Sequence, residues 1–232
     1  MQTAEYISVT PADVLGPMSE VERKYAPDRL YLAGDSDLLR LGPRVSLVGS
    51  RKASPEGLRR ARGLARGLAE RGIIIVSGLA AGVDRAAHEA AIEAGGKTIA
   101  VLGTSLDQSY PKENADLQQR IGREYLLVSQ FPTGYPVTPK SFPMRNRTMA
   151  LLTDATVIVE AGEKSGTIHQ GWEALRLGRV LFLMESLVND SALSWPAEMI
   201  RYGAQVLSRA NLDAVIENLP SFSTALSVAV EA

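Results

Sequence analysis

Residues 139 to 147 read PKSFPMRNR and gather Lys140, Phe142, Arg145, Asn146 and Arg147 into a segment of a chain whose formal net charge is only −1. Arginine forks match phosphate oxygens in bidentate fashion, lysine adds a point charge, and an aromatic ring offers a face on which a base stacks. Four breaks of small residues supply a second kind of anion ligand: Gly49-Ser50-Arg51, Ser77-Gly78, Gly103-Thr104-Ser105 and Lys164-Ser165-Gly166-Thr167. Small residues let backbone approach a ligand closely, and the unpaired N–H groups of a following helix favour negative charge. Inorganic phosphate has no use for a ring. Phosphate ligands beside Phe142 therefore point to a single-stranded nucleic acid, which presents phosphates and bases together. The simpler alternative is that Phe142 is buried under its loop and that Arg145 or Arg147 pairs with a carboxylate such as Glu160.

These residues need a scaffold that brings them to one place. A short β-branched run, a glycine or serine break and a helical stretch recur along the chain. VSLVGS (45–50) leads into a helix over 55–72, IIIVSG (73–78) into one over 80–96, and KTIAVLG (97–103) into a loop and a helix over 113–122. YLLVS (125–129), TVIVE (156–160) with a helix over 165–178, and RVLFLM (179–184) complete the series. Continuous apolar strands alternating with helices predict a doubly wound α/β domain with a mostly parallel sheet, an extended Rossmann-like fold. A parallel sheet brings the carboxyl ends of its strands to one edge, so the four breaks should converge there. The proline-rich FPTGYPVTP (131–139) predicts an extended connection that crosses the open edge and delivers PKSFPMRNR to it instead of continuing a helix. Residues 1–40 read as an N-terminal extension packing on the core, 41–210 as the core itself, and 211–232 as a short helix and tail.

With 232 residues, 45% of them apolar, the chain can bury a substantial core. It has no cysteine, which excludes disulfides, thiolate metal sites and thiol catalysis. No apolar run reaches the roughly 18 residues of a membrane span and the N-terminus lacks a signal-peptide pattern, so a soluble, cytoplasmic protein is expected. Near-neutral charge means that anion binding must come from local placement. The stripe Arg59, Arg62 and Arg66 on the first long helix reads as a solvated face.

No metal, cofactor or catalytic residue is expected. Two histidines, His88 and His169, are available for acid–base or metal work. His88 belongs in an alanine-rich helix as a packing residue, whereas His169, three residues past Gly166, could face the edge or act in a helix cap. Asp84 either caps the helix that starts beside it or binds a sugar hydroxyl. The chain has no G-x-G-x-x-G and no G-x-x-x-x-G-K-[ST], so neither dinucleotide-dependent redox chemistry nor nucleoside-triphosphate hydrolysis has support.

VSLVGSRKAS, VSGLAAGVDRAAHEAAIEAGGKTIAVLG, YPKENADLQQRI, FPMRNRTMALL and VIVEAGEKSGT, in that order, resemble the DNA-processing protein A family, known as DprA or Smf, over roughly residues 25 to 210. The resemblance implies an extended Rossmann domain that binds single-stranded DNA, acts as a homodimer and helps to load a RecA-type recombinase during natural transformation. It implies a DNA pocket made by Arg51 and the Phe142 to Arg147 segment, with backbone donors around Ser77-Gly78 and Ser165-Gly166. The rival reading is a small-nucleotide sensor or a phosphoribohydrolase-like enzyme. In that wider group a P-G-G-x-G-T-x-x-E motif supplies the catalytic glutamate; here only Gly166-Thr167 remains, and Glu173 lies six residues beyond Thr167.

Overall fold

The computed structural model describes residues 6–220. Ile73 to Val76 has no polar face to offer water, and every one of its side chains is buried. Such runs lie inside a nine-stranded sheet. In chain order the elements are β1 (Ile7–Val9), α1 (Pro11–Leu15), α2 (Glu20–Tyr25), β2 (Leu30–Gly34), β3 (Arg44–Gly49), α3 (Pro55–Ala69), β4 (Ile74–Ser77), α4 (Val83–Glu93), β5 (Thr98–Leu102), α5 (Ala115–Glu124) and β6 (Leu126–Ser129). There follow α6 (Ser141–Leu151), β7 (Ala155–Glu160), α7 (Thr167–Arg176), β8 (Val180–Met184), α8 (Glu185–Val188), α9 (Trp195–Arg201), β9 (Gln205–Leu207) and α10 (Leu212–Glu217).

The strand order is β1-β2-β6-β5-β4-β3-β7-β8-β9. The seven strands from β6 to β9 run parallel, while β2 pairs antiparallel with both β6 and β1. This is the doubly wound, mostly parallel sheet expected from the sequence. Its six predicted strands correspond to β3 to β8, and three short strands add to its margins. Residues 6–40 contribute β1 and β2 to one edge, and the expected C-terminal helix is α10; residues 221–232 lie outside the described residues.

Side-chain alternation sorts the core into two faces. Val45, Leu47, Ile75 and Val157 meet Ala61, Leu64 and Leu68 of α3 and Ala87 and Ala90 of α4. Val48, Ile74, Val76 and Ile158 pack on the other face with Met149 of α6 and Met199 of α9. The arginine stripe on α3 is engaged along its own surface. Arg59 pairs with Glu56, Arg62 with Glu89 and Glu93 of α4, and Arg66 with Glu93. Exposed pairs of this kind contribute little to stability. Among the described residues no helix is long and apolar enough to cross a membrane.

Strand order reverses between β3 and β7, and in open α/β sheets the crevice beyond the carboxyl ends at such a point is the usual ligand site. What reaches this crevice differs in one respect from the sequence expectation. Residues 131–140 are a non-helical approach with turns closed by Tyr135 N–H to the Pro132 carbonyl and Ser141 N–H to the Thr138 carbonyl, and helix α6 begins at Ser141, so FPMRNR is helical and not a crossing loop. Pro143 sits in the first turn, where the N–H that proline lacks would have no helical partner.

Candidate nucleic-acid interface

The crevice is a cleft of about 620 Å³. Gly49 at the end of β3 with Ser50, Arg51 and Lys52 beyond it form one wall; Lys164, Ser165 and Gly166 before α7, with Thr167 and His169 on it, form another. Phe142, Arg145, Asn146 and Met149 of α6 close the third side. Those four residues stand at i, i+3, i+4 and i+7, which is one face of a helix. The same spacing explains a correction. Arg147 is two residues from Arg145, so it points elsewhere: it pairs with Glu173 of α7 through Nε at 3.2 Å and lies over the Tyr25 ring. Lys140 is exposed just before α6 and does not line the cleft. Ser77 is buried and donates its hydroxyl to the Leu47 carbonyl at 2.6 Å, so it belongs to the sheet.

Three of the glycines at the breaks are small for a reason other than ligand approach. A Cβ on Gly78 would collide with the guanidinium of Arg145, and one on Gly103 would stand 2.7 Å from the Phe142 ring. These glycines make room for the two α6 side chains that form the cleft wall. Gly49 is small for a related reason, since a Cβ there would crowd Val83. The Gly-Ser-Arg turn is tied down by backbone bonds: Ser50 N–H donates to the Glu160 carbonyl at 2.7 Å, and Val83 N–H donates to the Ser50 carbonyl at 3.2 Å.

Arg145 is only 6% exposed. Its Nη1 donates to the Val101 carbonyl at 3.1 Å and its Nε to the Asn146 side-chain oxygen at 3.0 Å. Asp84, also buried, accepts from the N–H groups of Gly78 and Ala80 at 3.2 and 3.4 Å, so it fixes the turn after β4 instead of capping its own helix. Burial pushes the Asp84 carboxyl up while the Arg145 charge pulls it back down. Burial likewise lowers Arg145, with Asp84 opposing and Arg51 reinforcing that shift. Glu160, the suggested partner of Arg145 or Arg147, instead accepts from Ser54 N–H at 2.8 Å and faces Arg60 at 3.6 Å, which locks the start of α3.

Phe142 is half-buried, not hidden. The Arg51 guanidinium lies 5.1 Å from its centroid, and Tyr110, 49% exposed, lies 5.2 Å from it at an interplanar angle of 45°. Arg51, Phe142 and Tyr110 thus form a short run of flat groups beside the cleft, of the kind on which bases stack. Among the lining residues four cations, Arg51, Lys52, Arg145 and Lys164, face one carboxylate, Asp84. The positive field is local, as the near-neutral total demands.

Sequence reasoning missed three contributors. Lys52 follows Arg51 directly, and Tyr110 opens Y-P-K-E-N, so both had a signal. Gln170, buried on α7 under the cleft, had none. His169 is exposed at the cleft, whereas His88 is fully buried with Nδ1 2.7 Å from the Thr98 hydroxyl. Among the described residues no group of three or more acidic or histidine side chains is placed to hold a metal ion.

Comparison with known proteins places this architecture. The chain is 39% identical over 183 residues to the DNA processing protein DprA of Streptococcus pneumoniae, covering 79% of this chain and 64% of that protein. The X-ray structure of the Streptococcus protein superposes with a TM-score of 0.81 at 34% identity, over 94% of this chain and 75% of that one. DNA processing protein A from Helicobacter pylori, whose structure was described for its single-stranded DNA binding mode, superposes with a TM-score of 0.77 at 30% identity, over 94% of this chain and 96% of that one. The chain spans less than two thirds of the length of the Streptococcus relative and of the Bacillus subtilis one, at 64% and 65%. The model of the DNA recombination-mediator protein A family matches residues 9–220, and this chain belongs to that family.

Proposed function

We propose that the chain binds single-stranded DNA in the cleft between β3 and β7, as a strand-binding component of DNA processing and recombination and not as an enzyme. One observation carries the reading: four cations line a cleft beside a half-exposed aromatic run, in a chain with no overall excess of positive charge. The single-stranded DNA binding described for the Helicobacter relative supports it. Arg51, Lys52 and Lys164, with the backbone of Ser165 to Thr167, hold phosphates, and Phe142 and Tyr110 take bases. Lys140 and Arg147 serve only a strand that runs beyond the cleft. Work as a cytoplasmic homodimer, and delivery of the strand to a RecA-type recombinase, belong to the same proposal.

The nucleotide-hydrolase reading is less favoured by the placement of carboxylates. Glu173 is engaged by Arg147 and Arg176 away from the cleft lining, and Asp84 is held by two backbone N–H groups. Neither is poised over a bound sugar as a general base or nucleophile would be. The test titrates oligonucleotides of increasing length, alongside mononucleotides. Binding should tighten with length, and with three to four phosphates neutralised log K should fall against log salt with a slope of about −2 to −3, at roughly 0.7 per phosphate. A flat salt response, or binding confined to mononucleotides, would defeat the proposal.

Charge and stacking should separate by mutation. Arg51→Ala is expected to weaken binding and flatten the salt slope, because it removes a phosphate contact. Phe142→Ala should cost about 1 to 3 kcal/mol of binding with the slope nearly unchanged. If Phe142→Ala leaves binding intact and lowers thermal stability instead, the ring is packing and not platform.

A further inference from the structure

Gln170 is 1% exposed, and neither its amide oxygen nor its amide nitrogen has a hydrogen-bond partner. A buried primary amide offers two donors and an acceptor, and leaving them unmade is costly. Native structures satisfy the great majority of such groups, so this side chain calls for an explanation. Its position supplies one. Gln170 lies in the first turn of α7, three residues after Thr167, and belongs to the lining of the cleft together with Asn146 and the apolar Val48 and Met149.

We propose that Gln170 reads the edge of one nucleobase of the bound strand, drawn past the phosphate ligands into the floor of the cleft. The inference rests on the strand-binding reading above and adds a residue that discriminates. Val48 and Met149 give the flat sides of a base an apolar surface. The adjacent donor and acceptor of the amide match the paired donor and acceptor of a base edge, as in the bidentate contact of glutamine with N6 and N7 of adenine. The amide lies beneath the surface of the free cleft, so a base must displace a side chain to reach it. Met149 lines the same cleft, and its unbranched thioether chain adapts at small cost. Phosphate contacts position the strand without reading it, so this one slot is where base identity or base absence is felt.

The experiment compares an oligo-dA with a strand of equal length in which bases are replaced by abasic residues, for the full chain and for Gln170→Met. Met has similar length and no polar group to leave unpaired. For the natural chain the ratio of dA to abasic affinity should exceed that of Gln170→Met by about tenfold, while abasic affinity stays the same in both. The melting temperature of free Gln170→Met should be equal or higher, because an unpaired buried amide has been removed. Gln170→Asn, which keeps the amide but withdraws it by one methylene, should lower the ratio in the same sense and covers the case in which Met packs poorly. An unchanged ratio in the variants overturns the role of Gln170 while leaving strand binding standing. Failure of the natural chain to bind either strand overturns the strand-binding reading itself. A fall in melting temperature with an unchanged ratio assigns Gln170 to the fold alone.

Discussion

Replacing Arg145 by methionine should destabilise the protein by up to about 3 kcal/mol, because it removes both the donor to the Val101 carbonyl and the positive charge that pulls the buried Asp84 carboxyl down. The reason lies less in the arginine than in what it leaves behind. Asp84 is buried, and burial disfavours its charge, so without Arg145 the carboxylate has two N–H donors and no cation. A compensating change should therefore recover much of the loss. Adding Asp84→Asn removes the orphaned charge yet keeps an oxygen to accept from Gly78 and Ala80, so the double variant should be more stable than Arg145→Met alone. Gly78→Ala approaches the same contact from the other side. Its methyl group would occupy the space of the guanidinium, break the bond to the Val101 carbonyl and draw the cation away from Asp84. Urea denaturation of the four proteins decides the matter. If Arg145→Met is neutral, or if Asp84→Asn adds a further loss instead of a recovery, the two charges are not a unit. Oligonucleotide binding by the refolded double variant then asks a second question: normal affinity would make Arg145 a part of the architecture only, and weakened affinity a phosphate ligand as well.

The dependence of Arg145 on Gly78, and of Phe142 on Gly103, shows where the sequence could be read and where it could not. Alternation of apolar runs with helices placed β3 to β8 and hence the edge at which the breaks meet, because strand burial on both faces leaves a continuous hydrophobic signature. The cations Arg51 and Lys164 sit at strand ends, so topology alone put them in the cleft. PKSFPMRNR was harder. The prolines of FPTGYPVTP suggested an extended crossing that carried on through the segment, but Pro143 sits in a first helical turn, a place proline tolerates, and only the fold chooses. Once α6 is a helix, Arg145 and Arg147 cannot share a face, and a segment that looked like one cluster divides into a cleft wall and a contact with α7. At Gly78 and Gly103 the small residue carried a true signal with a different cause, since a glycine required by a neighbouring side chain and one required by a ligand look the same in sequence. Gln170 had no signal at all: a lone amide on a helix acquires meaning only when its partners can be searched for and are not found.

Lowering the pH should cost stability through His88, and by more than an ordinary histidine allows. Burial pushes its imidazole down to about 3, with a hydrogen bond involving the Ser77 backbone opposing and the charge of Arg145 reinforcing that shift. In the unfolded chain the same ring titrates near 6.5. Below that value the unfolded state takes up a proton that the folded state refuses, so stability is complete above about pH 6.5 and is lost as the pH falls from there towards 3. The slope is about 1.4 kcal/mol for each pH unit, so roughly 3 kcal/mol should have gone by pH 4.5. The Thr98 hydroxyl donates to the Ile75 carbonyl, so His88 Nδ1 donates to Thr98, and a further proton would go to the buried Nε2, adding a positive charge in the field of Arg145. His88→Gln keeps a polar group in reach of Thr98 and has nothing to titrate. Its stability at neutral pH should be lower, because the packing changes, but between pH 7 and 4.5 it should decline less than that of the natural chain. Chemical denaturation at several pH values gives both curves. Parallel decline would assign the acid sensitivity to carboxylates instead. A shallower curve for the variant would show that the buried, neutral imidazole of His88 carries the acid sensitivity.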